Sequence, residues 1–206
     1  MNLSSSFWED ESRKLAAVLR PRLESLYLLG VKIAQTQLAI TFSTELTNTL
    51  AVAWAKNYLD TLLSQLMETT ISGTGKIISE WIDSPTATMG DLHQRLMQDQ
   101  NFSRDRASRI AVTETTRAIA QGEMEYYLNN GIDTWQWNTN NDEFTDLDGR
   151  KRGTCEVCAS LNGKQVKIGE PFGFNKKGEP IIKPPDAHIG DRCWVTPVVI
   201  VKKPKE

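Results

Sequence analysis

Two short stretches decide how the C-terminal part of this chain folds: Cys155-Glu156-Val157-Cys158 and Asp186-Ala187-His188-Ile189-Gly190-Asp191-Arg192-Cys193-Trp194. Together they hold all 3 cysteines of the 206-residue sequence and one of its 2 histidines. A C-x2-C places two sulfurs on a single tight turn, and an H-x4-C supplies an imidazole and a third sulfur. Thiolate and imidazole donors suit Zn²⁺, and a closed Cys3His tetrahedron is a structural arrangement. Cys155, Cys158, His188 and Cys193 are therefore the expected metal ligands, with structural Zn²⁺ as cofactor. The long spacer between the two pairs closes at modest extra entropy. Two other readings stand beside it. Free cysteine is often buried as a small hydrophobe. A Cys193–His188 pair could also generate a nucleophilic thiolate, although no acid, oxyanion group or substrate pocket is legible around it. A redox role for the C-x2-C lacks the βαβ context it needs.

Around these stretches the chain reads as short strands and loops. Trp135 and Trp137 alternate with Gln136 and Asn138, which is the period of a strand. Asn162-Gly163 suggests a tight turn into Lys164–Ile168. Gly169 to Pro185 is rich in Gly, Pro and Lys and is expected to be loop, and Trp194 to Val201 is a final β-branched strand. The acidic stretch Asp142–Asp148 fails as an EF-hand, because Phe144 and Cys155 would fall at ligand positions. A module of this size, 132–201, is near the limit at which a hydrophobic core leaves only a few kcal/mol, so a metal staple would matter.

Upstream the sequence is helical. Ser6-Phe7-Trp8-Glu9 has capping-box form, and a helix is expected from there to Arg20. Pro21 suits the first turn of a second helix, which Gly30 would break or cap, and Val31 to Phe42 is a further helical segment. The strongest apolar periodicity runs from Thr44 to Met67, with Ser72-Gly73-Thr74-Gly75 expected to interrupt it before a short helix over 76–82. Thr88-Met89-Gly90-Asp91 marks another start, Ser103 another cap, and Asn130-Gly131 a C-terminal stop. His93 lies on a helix as a surface or packing residue. Glu114 and Arg117 are expected to form a helix-surface ion pair or a polar brace to the β module. The fold class is thus α+β: a mostly helical N-terminal region, then a small, loop-rich antiparallel β module. The expected division is a helical region over 1–86 and a second domain over 87–203, with helices over 88–130 and the β module over 132–201.

Composition narrows the function classes. Hydrophobic residues make up 39% and charged residues 24%, as in ordinary globular proteins. The net charge of -2 gives no basic field for nucleic acid. Six tryptophans are scattered rather than grouped into a stacking platform. The N-terminal residues lack the basic and apolar regions of a secretory signal, and no apolar run approaches a membrane span. An odd number of cysteines, with no sign of export, points to a reduced compartment such as the cytoplasm.

The order of these features resembles a known family. Arg106-Ala107-Ser108-Arg109-Ile110-Ala111-Val112-Thr113-Glu114-Thr115-Thr116-Arg117-Ala118 leads to a glycine-ended helix and a tryptophan strand. The C-x2-C with Leu161 and Gly163 follows, then Pro184-Pro185, His188, Arg192 and Cys193. This series is similar to the head morphogenesis domain of tailed bacteriophages, the phage Mu F-like family of minor head proteins. The likeness covers about residues 88 to 200. It marks Arg106, Glu114, Arg117, Gly163 and Arg192 as structural motif positions. One departure is plain: Asp191 stands where the family ending has its first cysteine, which makes Asp191 an alternative ligand. The resemblance implies a non-catalytic minor capsid protein in the virion head, near the portal vertex and made in the host cytoplasm. Its implied partners are the portal protein and other capsid proteins, with packaged DNA as a further candidate and no membrane or small-molecule substrate. The helices of residues 1–86 would then be a docking surface. Two alternatives from other classes are a zinc-stapled nucleic-acid-binding module and a Cys/His-dependent enzyme.

Overall fold

The computed structural model describes residues 5–39, 43–84, 88–99, 104–139, 144–145 and 151–199. The helices are α1 (Ser5–Leu38), α2 (Thr44–Ile82), α3 (Met89–Gln98) and α4 (Arg104–Asn129). The module that follows contains β1 (Thr134–Asn138), β2 (Phe144–Thr145), β3 (Lys151–Arg152) and a short α5 (Glu156–Leu161). It continues through β4 (Gln165–Lys167), β5 (Gly173–Phe174), β6 (Pro180–Ile181) and β7 (Trp194–Pro197). The expected α+β class is what the structure has.

Three expected helix boundaries are absent. α1 begins at Ser5, ahead of the residue expected to cap it, and runs unbroken through Pro21 and Gly30. An interior proline costs a helical hydrogen bond. Here the stripe Leu23, Tyr27, Val31 and Ala34, each at most 5% exposed, holds the helix together by burial. Gly30 is a contact rather than a cap. A β-carbon there would fall 2.1 Å from the carbonyl oxygen of Ile119 on α4. Gly122 on α4 mirrors it, since its β-carbon would fall 2.1 Å from the carbonyl oxygen of Tyr27. The two helices therefore cross backbone against backbone. α2 likewise continues through Ser72–Gly75, because Thr74 and Ile77 are both buried on its inner face.

Other local signals act as read. Thr88 and Asp91 form a reciprocal capping box at the start of α3. Gly131, with a φ of 73°, ends α4. His93 is exposed on α3. The Ser103 cap, most of the acidic stretch 142–148 and residues 200–201 of the expected last strand lie outside the described residues.

β4, β1 and β7 form a three-stranded antiparallel sheet with β1 in the centre. Trp135 pairs with Val166 and Pro197, and Trp137 pairs with Val195. Both tryptophans point into the core and are fully buried. The segment expected to be only loop carries the small β5–β6 pair, with Gly173 opposite Ile181. Its reason is burial: Phe172 and Ile181 are both inaccessible and pack with the two tryptophans. One continuous apolar cluster joins Tyr27, Val31 and Ala34 of α1 to Tyr126 and Tyr127 of α4 and to the sheet. The sheet module therefore rests directly on the α1–α4 crossing. A second cluster fills the space between α1, α2 and α4 around Leu23, Leu59 and Ala118.

Candidate metal centre

The first arm of the site is built by α5. Cys155 is its N-cap, and its Sγ accepts the backbone N–H of Cys158 at 3.3 Å. That turn puts Cys158 inside the core, 2% exposed, with Cys155 half-buried above it.

The second arm, residues 186–193, has almost no regular structure and is held by side chains. Asp186 Oδ2 accepts the backbone N–H groups of Ile182 and Lys183 at 3.3 and 3.2 Å. Thr113 Oγ1 on α4 accepts the N–H of Gly190 at 2.8 Å. One turn further along, the Thr116 hydroxyl donates to the carbonyl of Asp191 at 2.9 Å. Asp191 Oδ1 accepts the N–H of Cys193 at 2.8 Å. These bonds fix the loop so that His188 and Cys193 face α5.

The four expected ligands, Cys155, Cys158, His188 and Cys193, are brought together, and Asp191 joins them. The donor atoms of Cys155, Cys158 and His188 lie within 4.8 Å of one another, as do those of Cys158, Asp191 and Cys193. Cys158 is common to both groups. His188 Nε2 stands 3.2 Å from Cys158 Sγ, and its Nδ1 stands 3.0 Å from the carbonyl of Ile189. A carbonyl can only accept, so the Nδ1 contact requires the proton there and leaves the Nε2 lone pair facing the sulfurs. The imidazole thus neighbours Cys158, whereas Cys193 is grouped with Cys158 and Asp191.

The charge balance of this cluster asks for a cation. Asp191 is 1% exposed, and its Oδ2 is buried with no hydrogen-bond partner. A buried carboxylate without a counter-charge is costly. The Cys158 thiol is pushed well above its ordinary range by the Cys193 thiol beside it, by burial and by the Asp191 carboxylate. A bound cation would favour the thiolate instead, since metal binding and thiol ionisation are linked. The Cys155, Cys158, His188 and Cys193 cluster could therefore hold a metal ion.

The expected ion pair or brace is present at Glu114 and Arg117. Arg117 Nη1 meets Asp186 Oδ1 at 3.1 Å and its Nε lies 3.8 Å from Glu114 Oε2. Tyr58 of α2 donates to the same Glu114 oxygen at 2.5 Å. Burial pushes the Glu114 carboxyl up, while the Tyr58 hydroxyl and the Arg117 charge pull it down. Arg117 also lies over the Tyr58 ring, 5.7 Å from its centroid, and Tyr58 stacks on Trp54. Arg106 donates to Thr70 Oγ1 on α2 at 3.4 Å. Gly163 has a φ of 77° in the turn before β4, and Arg192 is exposed beside the cluster.

Thr116 and Asp186 were not singled out as site residues by sequence. A signal existed: Thr113, Thr116 and Arg117 are polar at i, i+3 and i+4 on a helix whose buried positions include Ala118 and Ala120. Comparison of the chain with protein-family models, with curated proteins and with solved structures gave no match in any of the three.

Proposed function

We propose that this chain is a structural minor head protein of a tailed bacteriophage, and that its sulfur–imidazole cluster holds one structural Zn²⁺. In this reading it works beside the portal and other capsid proteins during assembly of the DNA-filled head. The observation that carries it is convergence. Residues singled out by the family likeness come from α4, from the C-x2-C turn and from the Pro-Pro-to-Cys ending. They meet in one unit, with Thr113 and Arg117 holding the loop that delivers His188 and Cys193 to Cys155 and Cys158. A site built from sequence-distant motifs, and braced from behind, is a device for fixing shape.

Zinc is favoured by the donor chemistry. Three sulfurs and one imidazole nitrogen suit a borderline-soft ion, and Asp191 is at hand as an alternative carboxylate ligand. When bound, the ion would cross-link the α5 turn to loop 186–193. A closed set of four protein donors leaves no position for a substrate, so the proposal gives the cluster no catalytic task.

Elemental analysis of the full chain, purified under reducing conditions, should find one zinc per chain, and finding no metal overturns that part. The assembly role is tested separately. A phage lacking the chain should fail to yield normal DNA-filled particles, and the protein should co-purify with portal. DNA-filled heads forming normally without it would overturn the assembly reading.

A further inference from the structure

A cavity of about 300 Å³ opens between α1, α4 and the start of β7, and Cys193 of the sulfur cluster forms part of its wall. Ile33, Ile119 and Trp194 give it apolar walls, while Gln37, Glu123 and Arg192 are among its polar lining. Glu123 is 3% exposed, yet no hydrogen bond or ion pair partners it among the described residues. Its neighbour Gln37 is already engaged, because its Oε1 accepts the Tyr127 hydroxyl at 2.5 Å. A buried acid with no partner is costly, and an apolar residue at this position would avoid the cost. Burial keeps this carboxyl protonated up to about pH 8, and a cation in the cavity would supply the counter-charge that lets it ionise.

We propose that this cavity is a binding site for an alkylammonium group, whose methylenes lie along Ile33, Ile119 and Trp194 and whose charge meets Glu123. Apolar walls around one buried acid select a cation on a hydrocarbon stem over an anion or a fully hydrated ion. Arg192 lines the same cavity from an exposed position, where water screens its repulsion of the incoming charge. A free amine and the lysine of a partner chain share this chemistry. The inference does not depend on the phage reading.

The test uses the full chain, with amide resonances of Ala120 and Glu123 followed by NMR at pH about 9, above the value of about 8 to which burial raises the Glu123 carboxyl. n-Butylammonium should give saturable shifts in the millimolar range expected of so small a ligand. n-Butanol and butyrate should not, and Glu123→Gln should abolish the effect. Equal shifts from butanol, unchanged binding by Glu123→Gln, or no saturable shift with butylammonium would each overturn the proposal. If Glu123→Gln fails to fold, the contrast between butylammonium and butanol on the unaltered chain decides it. Blocked lysine, N-acetyl-lysine-N-methylamide, separates the sources. Binding as tight as butylammonium supports a partner's lysine, and loss of binding supports a free amine.

Discussion

The α1–α4 crossing and the loop 186–193 are held by opposite means. At the crossing the decisive feature is missing atoms: Gly30 and Gly122 let two backbones touch, and apolar stripes close around them. In the loop the decisive feature is added polar atoms: Thr113, Thr116, Asp186 and Asp191 bond irregular backbone, and Arg117 holds the Asp186 side chain. The first kind of contact is blind to salt and pH. The second includes carboxylates and an ion pair, and responds to both. One small protein therefore joins a helical frame fixed by shape to a module fixed by chemistry.

The largest effect should come from filling the crossing. Gly122→Ala puts a methyl 2.1 Å from the carbonyl oxygen of Tyr27, and backbone cannot swing aside as a side chain can. The clash outweighs the roughly 1 kcal/mol that alanine gains over glycine in a helix. A loss on the order of 3–5 kcal/mol is expected in urea unfolding. Gly75→Ala is the matched control, because its β-carbon meets nothing within 4 Å. It should stabilise by about 0.5–1 kcal/mol. Equal responses at the two positions would break the account of the crossing.

This pair of glycines also shows what the sequence could and could not tell. Local signals were legible where local chemistry decides: the Thr88–Asp91 box, the Gly131 stop and the Trp135–Trp137 alternation all depend on neighbours in the chain. Pro21, Gly30 and Gly75 were misleading because they punctuate only if nothing long-range opposes them. The role of Gly30 is visible only once Gly122 stands opposite. The cysteine and histidine positions were legible because ligand spacing is local. The loop's supports were not, since Thr116 and Asp191 are 75 residues apart in sequence. α5, at 6 residues, is too short for periodicity to register.

Next in size is removal of the metal that the cluster is proposed to hold. A strong chelator, or Cys158→Ser, should release loop 186–193 from α5 and loosen the packing around Trp135 and Trp137. Near-ultraviolet circular dichroism should fall while far-ultraviolet helix signal persists, because the crossing has no need of the ion. Loss of both signals together would mean that the two regions are one cooperative unit.

Glu123 on α4 gives a pH-dependent handle that is smaller for each unit of pH. Burial raises its carboxyl from 4.5 to about 8. Between those values the native state keeps a proton that the unfolded chain has released. Stability from this residue therefore falls as pH rises through the window, with a slope of up to about 1.4 kcal/mol per unit. Glu123→Gln should flatten that part of the profile in urea unfolding at stepped pH. An unchanged slope would mean that the acid is not buried as described.

The finest distinction concerns Arg117, a side chain that touches both regimes. It leaves the helical frame at α4, lies over Tyr58 of α2 and reaches Asp186 in the loop. Its pair with Asp186 is partly shielded, at 25% and 22% side-chain exposure, so it exceeds an ordinary surface ion pair but falls short of a buried one. Arg117→Met keeps the stem and removes the charge, and a cost of about 1–2 kcal/mol is expected. Asp186 has other work, since its Oδ2 accepts two backbone N–H groups. Asp186→Asn keeps an acceptor for them while cancelling the ion pair, and so should cost less than Arg117→Met. In a double-mutant cycle the two changes should be non-additive, because each removes the same interaction. Strict additivity would show that Arg117 acts only on Glu114 and Tyr58, inside the helical frame, and that the loop stands without it.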